Sequence, residues 1–337
     1  MKVISLALVF LATACSHGTA NRSPADATPD SAAYQSAAAE FDTEREARRP
    51  LISHEKHLPA TFLQGHPTDY AVVLIHGLFE SPFYVKGLTR NFQARGYNVV
   101  EPLLSKHWAK PLEKLNEVRY QDWLADTLID VRRAHKLGKK VILAGHSTGG
   151  LLAVYLAIQN PELVDGLLLW SPALAVTDPI YYGSYAGSHA NGHINLNYNK
   201  LAHKPPADPE HVPFYSPFAG REVVRLEQNL LDEFRRNNFT AGVSVIETKQ
   251  IMYGSIGVPV FLVMPEIDKV VSRPEVDTFF NSLQTPKVRY DLTGEEHTST
   301  PKDQDDYYPG AQSPNKDFPG MIKKLNGFLD QYFPSLK

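Results

Sequence analysis

From about residue 58 onward the sequence alternates between short, wholly apolar runs and longer segments with helical spacing. "YAVVLIHG" is followed by "FYVKGLTRNFQARGY", "NVVEPLL" by "YQDWLADTLIDVRRAHKLG", and "KKVILAG" by "STGGLLAVYLAIQNP". A fourth apolar run, "VDGLLLWSP", precedes an interruption; "VPVFLVMPEID", "RPEVDTFFNSLQ", "KVRYDL" and "FPGMIKKLNGFLDQYF" then resume the rhythm. Runs without polar alternation must be covered on both faces, and parallel strands joined by helical crossovers achieve that. The pattern therefore predicts an α/β fold with a mostly parallel, doubly wound sheet. Ligands in such sheets bind outside the carboxyl ends of the strands.

The interruption, residues 175–249, holds "YYGSYAGSHANGH", a proline-rich stretch and one amphipathic helix over "REVVRLEQNLLDEFRRN". An irregular insertion in an alternating core reads as a cap over the sheet edge. The expected organisation is a domain over 49–337, with core segments 49–174 and 250–337 and a cap at 175–249. Aromatic residues at Trp108, Tyr181, Tyr182, Tyr185 and Phe218 are candidates to wall an acyl pocket. His189 and His193 are four apart, but the Asn-Gly turn between them works against a metal site. The formal net charge of -3 leaves no basic footprint for nucleic acid.

The amino terminus has another character. "MKVISLALVFLATAC" carries one lysine, then an apolar stretch too short to span a bilayer, then small residues. It reads as a signal peptide over 1–14, ending at Cys15, the one cysteine of the chain. Residues 15–48 are poor in large apolar side chains and read as a flexible tether, with a short helix over "SAAAEFDTEREARR".

The sharpest chemical signal is Gly145-His146-Ser147-Thr148-Gly149, which fits G-x-S-x-G between an apolar strand and a helix. Such a turn holds a serine hydroxyl out of the sheet at a helix N-terminus, where the dipole favours a developing negative charge. A serine hydroxyl is a weak nucleophile and needs a base. Among 13 histidines, His297 stands just past the last apolar strand, in "YDLTGEEHTS". Its imidazole needs an acid to fix its tautomer. "VFLVMPEIDKVV" ends a strand with Asp268, the better placed candidate, and Glu266, the fallback. Two backbone N–H groups normally hold the oxyanion; Thr148 follows the nucleophile, and Leu78 lies in the loop "LIHGLFESPF" after the first core strand.

These motifs together resemble the α/β-hydrolase superfamily, nearest to bacterial carboxylesterases and monoacylglycerol-lipase-like enzymes with an "HG…SP" loop and a "G-[YH]-S-T-G-G" elbow. The resemblance covers roughly residues 58–335. It implies Ser147 as nucleophile, His297 as base, Asp268 as acid, and Leu78 and Thr148 as oxyanion donors, with no cofactor or metal. The ending at Cys15 resembles a bacterial lipobox, which implies acylation of Cys15 and a membrane-anchored lipoprotein. Ser16 implies the outer membrane, facing the periplasm. Two stretches depart from relatives: "LLSKHWAKP" after the second core strand, and the long polar run after His297. The expected activity is hydrolysis of small-molecule or lipid carboxylic esters. A peptidase of the proline iminopeptidase type, an acyltransferase and a non-catalytic binding lipoprotein are the alternatives. Nothing in the pattern fixes an oligomeric state.

Overall fold

The computed structural model describes residues 29–177, 216–238, 242–294, 297, 301 and 315–335. Its strands are β1 (Ala60–Phe62), β2 (Thr68–Ile75), β3 (Asn98–Glu101), β4 (Gly138–His146), β5 (Gly166–Trp170), β6 (Val260–Pro265) and β7 (Lys287–Leu292). They form one sheet in the order β1-β3-β2-β4-β5-β6-β7. β1 runs antiparallel to β3, and every other neighbouring pair is parallel. The helices are α1 (Ser31–Arg48), α2 (Lys86–Ala94), α3 (Tyr120–Ala134), α4 (Thr148–Gln159), α5 (Pro217–Asn238), α6 (Val245–Gly254), α7 (Arg273–Ser282) and α8 (Phe318–Tyr332).

Alternate strand residues enter two separate cores. Ala71, Val73 and Ile75 of β2 join the core that α1 and α3 to α7 cover. Val72 and Leu74 face the other core, under α2 and α8. Each side has a fully buried tryptophan, Trp123 on the first and Trp170 on the second. The apolar runs of the sequence thus become strands buried on both faces, as the alternation predicts. Register brings the carboxyl ends of β2, β4, β5 and β6 into one row, with Ile75 opposite Gly145, His146 opposite Trp170, and Trp170 opposite Val263.

Four features depart from the sequence reading. β1 is an antiparallel edge strand too short to leave a pattern. The stretch "FYVKGLTRNFQARGY" divides into a 3-10 turn at Pro82–Val85 and the helix α2. The expected tether also ends earlier than residue 48. Residues 31–48 form α1, which buries Tyr34, Ala37 and Phe41 against the core. Asp30 caps the helix by accepting the Ala33 N–H at 2.6 Å. Arg133 of α3 pairs with Glu40 at 3.2 Å and also with Glu44. Burying one large apolar side chain contributes about 1.5–3 kcal/mol, against about 0–1 for an exposed ion pair. Tyr34 and Phe41 are therefore the main anchors, and the charges set orientation.

The cap boundary shifts as well. The helix α6 straddles residue 249, and its capping box marks its start. The Ser244 hydroxyl oxygen accepts the Glu247 N–H at 3.2 Å, and Glu247 accepts the Ser244 N–H at 3.3 Å. α5, the amphipathic helix expected in the cap, shares the core of α3 and α4 through Val223, Leu226, Leu230 and Phe234. Its outer neighbour on α4 is Tyr155, whose hydroxyl accepts a hydrogen bond from Asn229 at 3.0 Å and donates to Glu233. Cys15, Tyr181, Tyr182, Tyr185, His189 and His193 lie outside the described residues.

Candidate active site

Ser147 stands between the end of β4 and the first residue of α4, at φ 51° and ψ -114°. A non-glycine residue held there stores strain of about 1–3 kcal/mol. The flanking glycines make the turn possible. A Cβ on Gly145 would come 2.4 Å from the carbonyl carbon of Gly149, and one on Gly149 would come 2.2 Å from the Ile75 carbonyl oxygen. The start of α4 can therefore press against the end of β2. The elbow is tied to the next strand too: the Ser147 N–H donates to the Trp170 carbonyl at 3.0 Å, and the Ser147 carbonyl accepts the Ala173 N–H at 2.9 Å.

The three residues singled out for catalysis meet. The Ser147 hydroxyl lies 2.9 Å from His297 Nε2, and His297 Nδ1 lies 2.8 Å from Asp268 Oδ2. Because a carboxylate only accepts, Nδ1 carries the hydrogen and Nε2 is left to accept the serine proton. Asp268 Oδ1 accepts the N–H groups of Val270 and Val271, each at 2.8 Å. The "DKVV" turn thus aims the carboxylate with its own backbone. Glu266, the fallback acid, is exposed at the strand end.

The electrostatics follow from these contacts. Burial pushes the Asp268 carboxyl up, but the His297 imidazole, the Ser171 hydroxyl and the Val271 N–H outweigh it and hold it well below the usual carboxylate range. Burial opposes protonation of His297, and Asp268 outweighs that, so the imidazole is raised above its ordinary value.

The loop expected to hold the oxyanion follows β2. The Gly77 N–H donates to Glu80 Oε2 at 2.7 Å, the Phe79 N–H to His107 Nε2 at 3.3 Å, and the Glu80 N–H to the Gly77 carbonyl at 3.2 Å. The Leu78 N–H between them meets no acceptor among the described residues. The Thr148 N–H, at the first position of α4, is also without one, as expected where a helix begins. "LLSKHWAKP" supports this loop from behind. His76 donates through Nδ1 to the Gly77 carbonyl at 2.8 Å and accepts the Leu104 N–H at Nε2 at 3.1 Å. Burial lowers His76 to about 4 and His107 to about 3, so both rings stay neutral and keep an accepting nitrogen. Trp108 stacks face to face on His57, ring centroids 3.5 Å apart. Phe218 carries the Arg221 guanidinium 5.5 Å from its ring centre.

Sequence reasoning missed three buried polar residues here: Ser171, Glu80 and His146. Ser171, just past β5 at φ 45°, donates its hydroxyl hydrogen to Asp268 Oδ2. Its one signal is a serine before Pro172 at a strand end. Glu80 had a clearer one, as a lone carboxylate in the apolar loop "GLFESP". Among the described residues no group of three or more His, Cys, Asp or Glu is arranged to hold a metal. No described helix is long and apolar enough to cross a membrane.

A family model described as serine aminopeptidase, S33, matches residues 66–297, which include every residue of the line from Ser147 to Asp268 and His297. The chain belongs to this family. As a member of it, the protein is 27% identical over 92 residues to a thermostable monoacylglycerol lipase from Bacillus sp. (strain H-257). That match takes in 27% of this chain and 36% of the Bacillus enzyme, about a third of its length. Among solved structures, the metagenome-derived lipolytic enzymes LipS and LipT align with TM-score 0.61 at 18% identity, over 82% of this chain and 98% of theirs. The monoacylglycerol lipase of Paleococcus ferrophilus aligns with TM-score 0.58 at 18% identity, over 81% of this chain and 98% of its own. A soluble variant of Saccharomyces cerevisiae monoglyceride lipase aligns with TM-score 0.57 at 13% identity, over 82% of this chain and 91% of that one. The fold is the α/β-hydrolase fold.

Proposed function

We propose that this S33-family protein is a serine hydrolase of carboxylic esters, with lipid esters of the monoacylglycerol or lysophospholipid kind as its substrate class. The unbroken hydrogen-bonded line from Ser147 through His297 to Asp268, set on a strained elbow, carries the reading. Ser147 Oγ attacks the ester carbonyl while His297 Nε2 takes its proton. The N–H groups of Leu78 and Thr148 hold the oxyanion. The C–O bond to the alcohol then breaks, and His297 returns the proton to the leaving alkoxide. Water, deprotonated by the same nitrogen, releases the acid. Asp268 keeps Nδ1 protonated and balances the imidazolium.

Support for esters over peptides comes from the relatives, which are named as lipases although the family description names an aminopeptidase. The deciding experiment uses protein lacking residues 1–15. It compares p-nitrophenyl esters of graded chain length with aminoacyl and prolyl amides and with an added acceptor alcohol. A fluorophosphonate probe should label the wild type and leave Ser147→Ala unlabelled. Faster turnover of prolyl amides would replace the ester reading with a peptidase one, and product accumulating on the acceptor alcohol would make it a transferase. Labelling of a folded Ser147→Ala sample would remove the mechanism.

The amino terminus adds a separate proposal: acylation at Cys15 tethers the enzyme to a membrane, in a Gram-negative cell the outer membrane facing the periplasm. A palmitate analogue should mark the wild type, and Cys15→Ser should leave the protein unmarked and in the soluble fraction. A mature N-terminus elsewhere would exclude it.

A further inference from the structure

Glu80 and His146 lie outside the line of three, yet they join its supports. Glu80 is 2% exposed and His146 1%. Two ionisable side chains so deeply buried must be satisfied by partners. Glu80 Oε2 accepts the Gly77 N–H at 2.7 Å and meets His146 Nδ1 at 2.9 Å. Across the ring, His146 Nε2–H donates to the backbone carbonyl of His297 at 3.0 Å. Gly77 opens the oxyanion loop, His146 directly precedes Ser147, and His297 follows β7. One buried pair therefore joins three chain segments that are far apart in sequence. Gly77 leaves the room for it: a Cβ there would come 2.8 Å from Glu80 Oε2 and 3.1 Å from His146 Nδ1.

The ring of His297 is already fixed at both nitrogens, by Asp268 and Ser147. Those bonds set its rotation. They do not set where its backbone stands, and an error of about 1 Å in such a site can cost about a hundredfold in rate. We propose that Glu80 and His146 are positioning residues, which pin the His297 backbone to the nucleophile elbow and to the oxyanion loop at once. The proposal rests on the reading of Ser147 and His297 as nucleophile and base.

Two substitutions at one position separate the two bonds. The amide nitrogen of glutamine reaches about as far as Nε2 of histidine, and that of asparagine about as far as Nδ1. His146→Gln should keep the His297 anchor, with kcat within about fivefold of wild type on a p-nitrophenyl ester. His146→Asn should lose it, with kcat about 30- to 100-fold lower and KM within about twofold. Glu80→Gln should lower kcat about tenfold with KM within about twofold. Ser147→Ala is measured beside them. Equal kcat in the two His146 variants, whether high or low, would overturn the proposal while Ser147→Ala stays inactive. So would a wild-type kcat in folded Glu80→Gln. Should Glu80→Gln fail to fold, the His146 pair decides. Turnover by Ser147→Ala would remove the underlying reading, and the proposal with it.

Discussion

The hydroxyl of Ser171 donates to the same oxygen of Asp268 that receives the Nδ1 hydrogen of His297. Ser171 Oγ is also 3.1 Å from Nδ1 itself, so the three groups form a closed triangle. A hydrogen bond to a charged group contributes about 1.5–3 kcal/mol. Ser171→Ala should therefore lower kcat about tenfold at unchanged KM, since about 1.4 kcal/mol is a factor of ten. A steady-state kcat within twofold of wild type would reduce Ser171 to packing.

Asp268→Asn should leave the fold intact and cost about 10⁴ in kcat at neutral pH, because the amide favours the wrong imidazole tautomer. Glu266→Gln should stay within about threefold, because its side chain is exposed and its backbone N–H already serves the Leu292 carbonyl at 2.9 Å. Parallel kinetics on the two purified variants check the ranking, and the reverse order would make Glu266 the acid.

The pH dependence has a definite sign. His297 must be neutral to accept the serine proton, and its imidazole is raised above the ordinary value of about 6.5. The kcat/KM profile should fall on the acid side with a midpoint above about 6.5. For stability, the raised imidazole contributes fully below about 6.5, and that contribution fades as pH climbs through the folded-state value. Asp268 acts oppositely: its depressed carboxyl contributes above about 3.9, and the contribution is lost as pH falls toward the folded-state value. An acid limb centred below 6 would contradict the charge balance described for His297.

Asp130 of α3 behaves the other way from Asp268. Burial, and then the nearby Glu44 carboxylate, raise it to about 7 despite its 3.2 Å contact with Arg133. The folded state then holds a proton that the unfolded chain has released above about pH 4, so stability falls as pH rises from about 4 to about 7. Asp130→Asn should remove that slope. Melting in buffers at both ends should show a higher melting temperature than wild type at pH 8 and little change at pH 4.5. A loss at pH 8 would mean that the Arg133 pair outweighs desolvation.

Gly149→Ala should separate the start of α4 from β2, since the added methyl would meet the Ile75 and His76 carbonyl oxygens at 2.2 and 2.7 Å. Overpacking of this kind costs about 1–3 kcal/mol. Calorimetry should show a lower melting temperature, and esterase activity should drop by more than the lost stability explains, because Ser147 moves with the helix. Wild-type activity in this variant would mean that the elbow tolerates displacement.

The alternation of apolar runs and helices was enough to place the parallel sheet, and G-x-S-x-G placed Ser147 because strand, turn and helix are contiguous in sequence. His297 and Asp268 were legible for a related reason: each follows the carboxyl end of a strand, where this architecture gathers its ligands. Ser171 was not, because its partner Asp268 is 97 residues away and only the pairing of β5 with β6 brings them together. The bond between Glu80 and His146 spans 66 residues and leaves no periodic trace. A helix was expected over "SAAAEFDTEREARR", but the packing of α1 against the core was not, for a compositional reason. Its stripe of Tyr34, Ala37 and Phe41 has helical spacing but is diluted by alanine and charge, so it reads as a segment with too little to bury.

α4 is buried along its whole length from Thr148 to Ala157, on the side away from the sheet as well as toward it. That outer cover includes α5, which the chain contributes from the far end of its insertion. The insertion is therefore not a detachable module. Its last third is chassis: cutting at 175 and 249 would strip Tyr155 of Asn229 and Glu233, open the core that α4 shares with α5, and leave a sticky, unfolding-prone body. A graft meant to change substrate preference has to keep α5 from the host.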